Sequence, residues 1–116
     1  MTSPTEIKLR RAENLLELIF DDGSAFALPA ELLRVESPSA EVQGHNPSER
    51  KLVAGKKHVA ITGIEPTGNY AIRLKFSDGH ETGIFSWDYL HQLGREQKIR
   101  WRRYVALLEQ AGLTRE

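Results

Sequence analysis

The chain contains no cysteine. That absence removes disulfides, thiolate nucleophiles, cysteine zinc sites and thiolate-held iron–sulfur clusters from what the chain can build by itself. Long apolar runs are missing as well. No stretch approaches the ~18 residues of a membrane-spanning helix, and residues 1–20, MTSPTEIKLRRAENLLELIF, lack the uninterrupted apolar segment of a secretory leader. Charge of one sign is not in excess either: 16 basic side chains balance 16 acidic ones, so no overall field favours nucleic acid or an anionic membrane. The motifs GxSxG, GxxxxGK[ST] and GxGxxG do not occur. A cytoplasmic protein with neither nucleic-acid nor membrane partners is expected.

What is present is an ordinary globular composition, 40% apolar and 28% charged over 116 residues, the size of one domain with one modest core. Within it a sentence is written twice. Residues 20–33, FDDGSAFALPAELL, and residues 76–90, FSDGHETGIFSWDYL, both read aromatic, polar, Asp, Gly, a short strand, then a short helix. They differ after the glycine, where Ser24 is replaced by His80.

Alternation of apolar and polar residues predicts the strands. Ile7 and Leu9 oppose Lys8 and Arg10, Leu16, Leu18 and Phe20 oppose Glu17 and Asp21, and Tyr70, Ile72, Leu74 and Phe76 alternate with Ala71, Arg73 and Lys75. Turns fall at Ala12-Glu13-Asn14, Asp21-Asp22-Gly23, Pro66-Thr67-Gly68-Asn69 and Ser77-Asp78-Gly79-His80, because Asn, Asp and Gly tolerate the backbone angles that hairpins need. Pro29 suits the first turn of a short helix packing through Leu32 and Leu33. Ser86 is the expected N-cap of the second helix and Gly94 its C-cap. The last segment puts Trp101, Tyr104, Leu108 and Ala111 on one helical face, ending at Gly112. Its cluster KIRWRR reads as the solvated basic face of that helix rather than as a nucleic-acid surface.

The fold class is therefore α+β: two antiparallel hairpin or meander units, each followed by a short helix, and a C-terminal amphipathic helix. Residues 1–5 form a polar tail, 6–94 the domain, 36–57 a long mobile loop, and 95–116 a helix of the same domain. The expected core is Leu16, Leu18, Phe20, Phe26, Leu28, Leu32, Ile61, Tyr70, Ile72, Leu74, Phe76, Ile84, Trp87 and Leu90.

With these blocks in place, residues 7–94 resemble the N-terminal domain of gamma-butyrobetaine hydroxylase and its small stand-alone bacterial relatives of unknown function. LELIFDDGSAFALPAELLR, Gly68 with Tyr70–Ser86, and WDYLHQLG carry the resemblance. In the hydroxylases, three cysteines spaced C-x-C-x-x-C follow the first helix and join the histidine of an Asp-Gly-His turn to hold structural zinc. The resemblance assigns that role to His80, after Asp78 and Gly79, and puts Ser37, Ser39 and Val42 at the cysteine positions. None of these three is a zinc ligand, and one imidazole cannot supply the ~10 kcal/mol of a folding-coupled site. No cofactor is expected, and the inherited site is read as degenerate.

Two alternatives stay open for His80. It is either a turn residue whose ring packs or hydrogen-bonds against the first helix and loop, with His80→Ala costing roughly 0 to 1 kcal/mol, or part of a weak iron or zinc site with His45 and the nearby Glu36, Glu41 or Glu49. His45, His58 and His91 otherwise read as surface residues. The oxygenase chemistry of the hydroxylases belongs to a separate domain with a His-x-Asp iron motif. Here the residues two after each histidine are Pro47, Ala60, Thr82 and Leu93, so that catalytic pattern is absent and the chain is read as no enzyme. The expected function is a non-catalytic accessory or protein-interaction domain. The alternative is a weak metal-binding accessory assisting an iron–sulfur carrier ATPase or an oxygenase in trans. The expected partner is another protein, such as that ATPase or oxygenase, or a second copy in a homodimer.

Overall fold

The structure, a computed structural model, describes residues 2–44 and 46–116. Strands β1 (Pro4–Arg10), β2 (Leu15–Phe20) and β3 (Ala25–Pro29) form one antiparallel sheet in that order, and β4 (Ile61–Thr67), β5 (Ala71–Phe76) and β6 (Gly83–Ser86) form a second. Each sheet runs straight into a helix: β3 into α1 (Ala30–Val35) and β6 into α3 (Trp87–Arg95). Between the units lie α2 (Ala40–Gln43) and a single 3-10 turn (Pro47–Glu49), and α4 (Gln97–Gln110) follows α3. The α+β class and the repeated meander-plus-helix plan are thus both present.

The two Asp-Gly turns are bonded alike. Gly23 N–H donates to the Phe20 carbonyl and Phe20 N–H to that of Ser24, while Gly79 N–H donates to Phe76 and Phe76 N–H to His80. In each turn an aspartate also accepts the N–H two residues on, Asp22 from Ser24 at 2.9 Å and Asp78 from His80 at 3.1 Å. The glycines sit at φ 86° and 90°, the left-handed region that a side chain makes costly.

One core joins the units, with Leu16, Leu18, Phe20, Leu28 and Leu32 of the first against Ile61, Ile72, Leu74, Phe85 and Leu90 of the second. Two expected core residues lie outside it. Ile84 is 45% exposed and Phe85 fully buried, because Ile84 pairs with Arg73 on the outer face and Phe85 with Ile72 on the inner one; a one-residue error of phase exchanges the faces of a strand. Tyr70, 51% exposed, sits in the turn before β5 rather than in the strand.

The segment 36–57 differs from the expected structureless loop. Ser39 caps α2 by accepting the Glu41 N–H, and Lys51 N–H bonds the Val42 carbonyl. Further on, Leu52, Val53 and Ala54 pack on a small second cluster of Val35, Tyr104 and Leu108, where the Tyr104 hydroxyl donates to the Val53 carbonyl at 2.6 Å. The chain end returns over this segment: Gly55 and Lys57 bond the carbonyls of Thr114 and Arg115, and Arg115 grips the buried Glu31 with two hydrogen bonds. Helix α4 ends one residue before the expected Ala111, which is exposed, and Gly112 follows at φ 69°. No helix among the described residues is long and apolar enough to cross a membrane.

Candidate functional site

His80 is the buried histidine of the structure, with its side chain 3% exposed. Its turn on the second sheet delivers the ring to the segment that leaves α1. There the Ser37 hydroxyl lies 2.9 Å from Nε2, and Glu41 Oε2, from α2, lies 3.0 Å from Nδ1. A carboxylate accepts only, so Nδ1 carries the proton and the Ser37 O–H donates to the Nε2 lone pair. Ser37 Oγ in turn accepts the Ser39 N–H at 3.3 Å, and Ser39 Oγ meets Thr82 Oγ1 at 2.6 Å. Val42, in α2, is 1% exposed. Of the positions that the resemblance named, Ser37 meets His80 directly, while Ser39 and Val42 lie on the same segment as Ser37.

The donor set does not suit zinc or iron. Ser37, Ser39 and Val42 offer no metal-binding atom of the right kind, and both nitrogens of His80 are engaged by hydrogen bonds. Among the described residues no group of three or more His, Cys, Asp or Glu side chains could hold an ion. Glu36 turns away from His80 and binds Arg50 at 2.7 Å and Arg100 at 3.0 Å, while Asn46 reaches Glu49. His45, the other histidine of the expected weak site, lies outside the described residues.

Ser37, His80 and Glu41 also match the order of a hydrolytic relay, hydroxyl to imidazole to carboxylate. Access is what they lack. Ser37 is completely buried, and a Cβ added at Gly83 would lie 2.5 Å from its hydroxyl oxygen, so the strand backbone covers the atom that would have to attack. The missing side chain at Gly83 is what admits Ser37 to the knot.

The repeat is reciprocal. His80, in the turn of the second unit, bonds Ser37 behind the helix of the first; Ser24, in the equivalent turn of the first unit, bonds His91 in the helix of the second at 3.1 Å. His91 was expected at the surface, yet its side chain is only 16% exposed. It stands edge-on to Phe20 and Phe26, with Asp22 Oδ2 2.9 Å from Nε2. The Ser24 hydroxyl and N–H hold the Asp22 carboxyl down at about 2, with burial opposing and His91 adding a smaller pull. His58 is exposed as expected. The sequence signal for α2 was Ser39-Ala40-Glu41, a capping serine before helix formers. Nothing local pointed to Thr82 or Gly83.

Burial, reinforced by the nearby Arg34 guanidinium, pushes the His80 imidazole below its ordinary 6.5, against opposing pulls from Glu41 and Asp78. Asp78 itself is driven up by burial but held well below the usual carboxylate range by Lys56, the His80 N–H and Arg34. Well above pH 6.5 His80 is uncharged in both folded and unfolded chains. As the pH falls through 6.5 the unfolded chain takes up a proton that the folded one resists, so stability is full above that pH and declines below it, until the folded imidazole titrates in turn. Urea midpoints measured above and below pH 6.5 are expected to show this loss, and His80→Gln should flatten it. An unchanged slope in the variant would remove His80 as its source. Because the ring is buried with both nitrogens bonded, His80→Ala is expected to cost about 2 kcal/mol rather than the smaller loss of an exposed turn residue.

Three comparisons bear on this arrangement. The family described as gamma-butyrobetaine hydroxylase-like, N-terminal, matches residues 7–91. Two NMR solution structures are similar over 100% of this chain, one at 46% identity covering 91% of its own chain, the other at 47% covering 86%, each with a TM-score of 0.86. A crystal structure from Acidithiobacillus ferrooxidans, described as a protein of unknown function in the DUF971 family, is 41% identical over 78% of this chain and 91% of its own, with a TM-score of 0.67. Among curated proteins none matches.

Proposed function

The chain belongs to the gamma-butyrobetaine hydroxylase-like, N-terminal family, and on that premise we propose that it is a non-catalytic accessory domain acting through protein contacts, its ancestral zinc position converted into a hydrogen-bonded tie. One observation carries this reading: both nitrogens of the buried His80 are engaged, by Ser37 from behind α1 and Glu41 from α2. A histidine used in this way clamps the two units together and has no lone pair left for an ion. Removing one partner of such a buried pair leaves the other unsatisfied, at about 1–3 kcal/mol, so the tie stabilises without metal.

The partner is another protein, and an iron–sulfur carrier ATPase or an oxygenase served in trans is the class that the family resemblance favours. A second copy in a homodimer is the competing occupant. Purified protein is expected to hold no stoichiometric zinc or iron after dialysis and to keep its circular dichroism in chelator. A stoichiometric metal in elemental analysis would overturn the converted-site reading. Affinity capture from the native cell on the full chain is expected to enrich such an ATPase or oxygenase at stoichiometric yield, and recovery of the bait alone would count against the role in trans.

A second reading, weak iron or zinc binding for delivery to such a partner, has one observation in its favour. Glu41 is 61% exposed although its carboxylate touches the buried His80, which places a hard oxygen ligand, itself open to solvent, against an imidazole. Titration with ferrous iron or zinc that shifts the His80 ring resonances would favour this reading over the first.

A further inference from the structure

Resting on the interaction-module reading, we infer that the outer face of α4 is the docking surface, and that its partner is a carboxylate-rich protein segment carrying an apolar side chain. The matched family segment ends at residue 91, so α4 is built outside it. Its inner side, Tyr104 and Leu108, packs on Val35. Its outer side contributes nothing to the core: Lys98, Arg102 and Arg103 are exposed there, beside Ile99 at 62% and Leu107 at 43% exposure.

The charges on this face are unpaired. Arg34, Arg100 and Arg115 each grip a carboxylate of the same chain. Among the described residues, Arg95, Lys98, Arg102 and Arg103 form no ion pair. With equal numbers of acidic and basic residues overall, this helix face, where Lys98, Arg102 and Arg103 outnumber the exposed Glu109, is a local positive excess on a neutral molecule. Lys98, Ile99, Arg102 and Arg95 also line an open groove of about 700 Å³. Cations around an exposed isoleucine and leucine complement a segment that brings carboxylates around an apolar centre.

Nucleic acid fits less well. Trp101, the aromatic ring lining this groove, already has the Arg115 guanidinium over it at 5.0 Å and a tilted Tyr104 at 5.4 Å between ring centres, so a base would have to displace a contact within the chain in order to stack. A phosphate backbone would also leave Ile99 and Leu107 without an apolar partner, and the neutral chain adds no long-range attraction.

The test titrates the isotope-labelled full chain with a synthetic glutamate-rich peptide bearing one central leucine, and with its glutamine counterpart as control. The glutamate peptide is expected to shift amides of residues 95–107 saturably, to lose this effect at high salt, and to bind at least about tenfold more weakly to the Lys98→Glu, Arg102→Glu double variant. Equal shifts from the glutamine peptide, shifts confined to another face, or unchanged binding by the double variant would each overturn the inference. So would an oligouridylate binding α4 more tightly than the peptide at the same salt. Both substitutions lie on exposed positions, and unchanged amide spectra outside α4 will show that the variant folds. Peptide binding on α4 without capture of any native partner would support the surface and overturn the role in trans, whereas capture that survives charge reversal would do the opposite.

Discussion

Ser37→Cys, Ser39→Cys and Val42→Cys introduced together are expected to produce a zinc-binding protein of sub-micromolar affinity. The ligands would be three thiolates from one short segment and the His80 imidazole from the facing turn. Ser37 Oγ already lies 2.9 Å from Nε2, and Ser39 and the buried Val42 follow on the same short segment, so the first of the three positions meets the imidazole before any metal is added. Zinc prefers four closed ligands of this kind and its binding is coupled to folding. Without zinc the triple variant should be less stable than the parent, since Ser37→Cys removes the hydroxyl on His80 and Ser39→Cys removes the α2 cap, a loss of about 1 kcal/mol each. With zinc at a thousandfold excess over its dissociation constant, mass action should add about 4 kcal/mol. Each single cysteine should do nothing of the sort, and His80→Ala in the triple background should weaken binding. If cobalt titration of the triple variant shows no thiolate absorption, the placement of these positions around one point is wrong.

Gly94→Ala is expected to destabilise the fold by about 2–3 kcal/mol through overpacking. Gly94 was expected to end α3; instead the helix runs on to Arg95 and is capped by Glu96, with Gly94 in its last turns at an ordinary helical φ. What it provides is a gap. A Cβ there would lie 2.6 Å from Phe26 Cδ1 and closer still to the ring's Cγ, and that ring is wedged against Phe20 and His91. On helix propensity alone alanine would be favoured over glycine by about 1 kcal/mol, so the sign of the effect separates the two accounts. In a Phe26→Ala background the clash is gone, and Gly94→Ala should become neutral or stabilising. Thermal or urea unfolding of the four proteins of this cycle measures the coupling. Additive effects would mean that Gly94 is not spaced by Phe26.

The repeat, the turns and the helix starts were legible because each is written in neighbouring residues. Alternating apolar positions set the strands, Asp-Gly set the turns, and Pro29 and Ser86 set the helix entries, each acting within a few bonds of itself. The family resemblance likewise pointed to Ser37 and His80, and the packing of the two units puts the Ser37 hydroxyl 2.9 Å from the ring.

Partnership between distant residues was not legible. Nothing near His91 in the chain announces that it will insert between Phe20 and Phe26 and meet Asp22, and nothing near Gly83 or Gly94 says which ring or hydroxyl will approach. Much of segment 36–57 looked structureless for the same reason: besides the local Ser39 cap, residues 53–57 are held by Tyr104 and by the returning chain end at Thr114 and Arg115, all more than 40 residues away. The sequence by itself determined the two meander-plus-helix units and the absence of any cysteine ligand, since local propensity and residue chemistry suffice for both. Only the tertiary structure decided that His80 has both nitrogens occupied and Ser37 out of reach, and that Lys98, Arg102 and Arg103 stay exposed together on one face of α4. Burial and hydrogen-bond partners belong to how the units pack, and no residue carries that information alone.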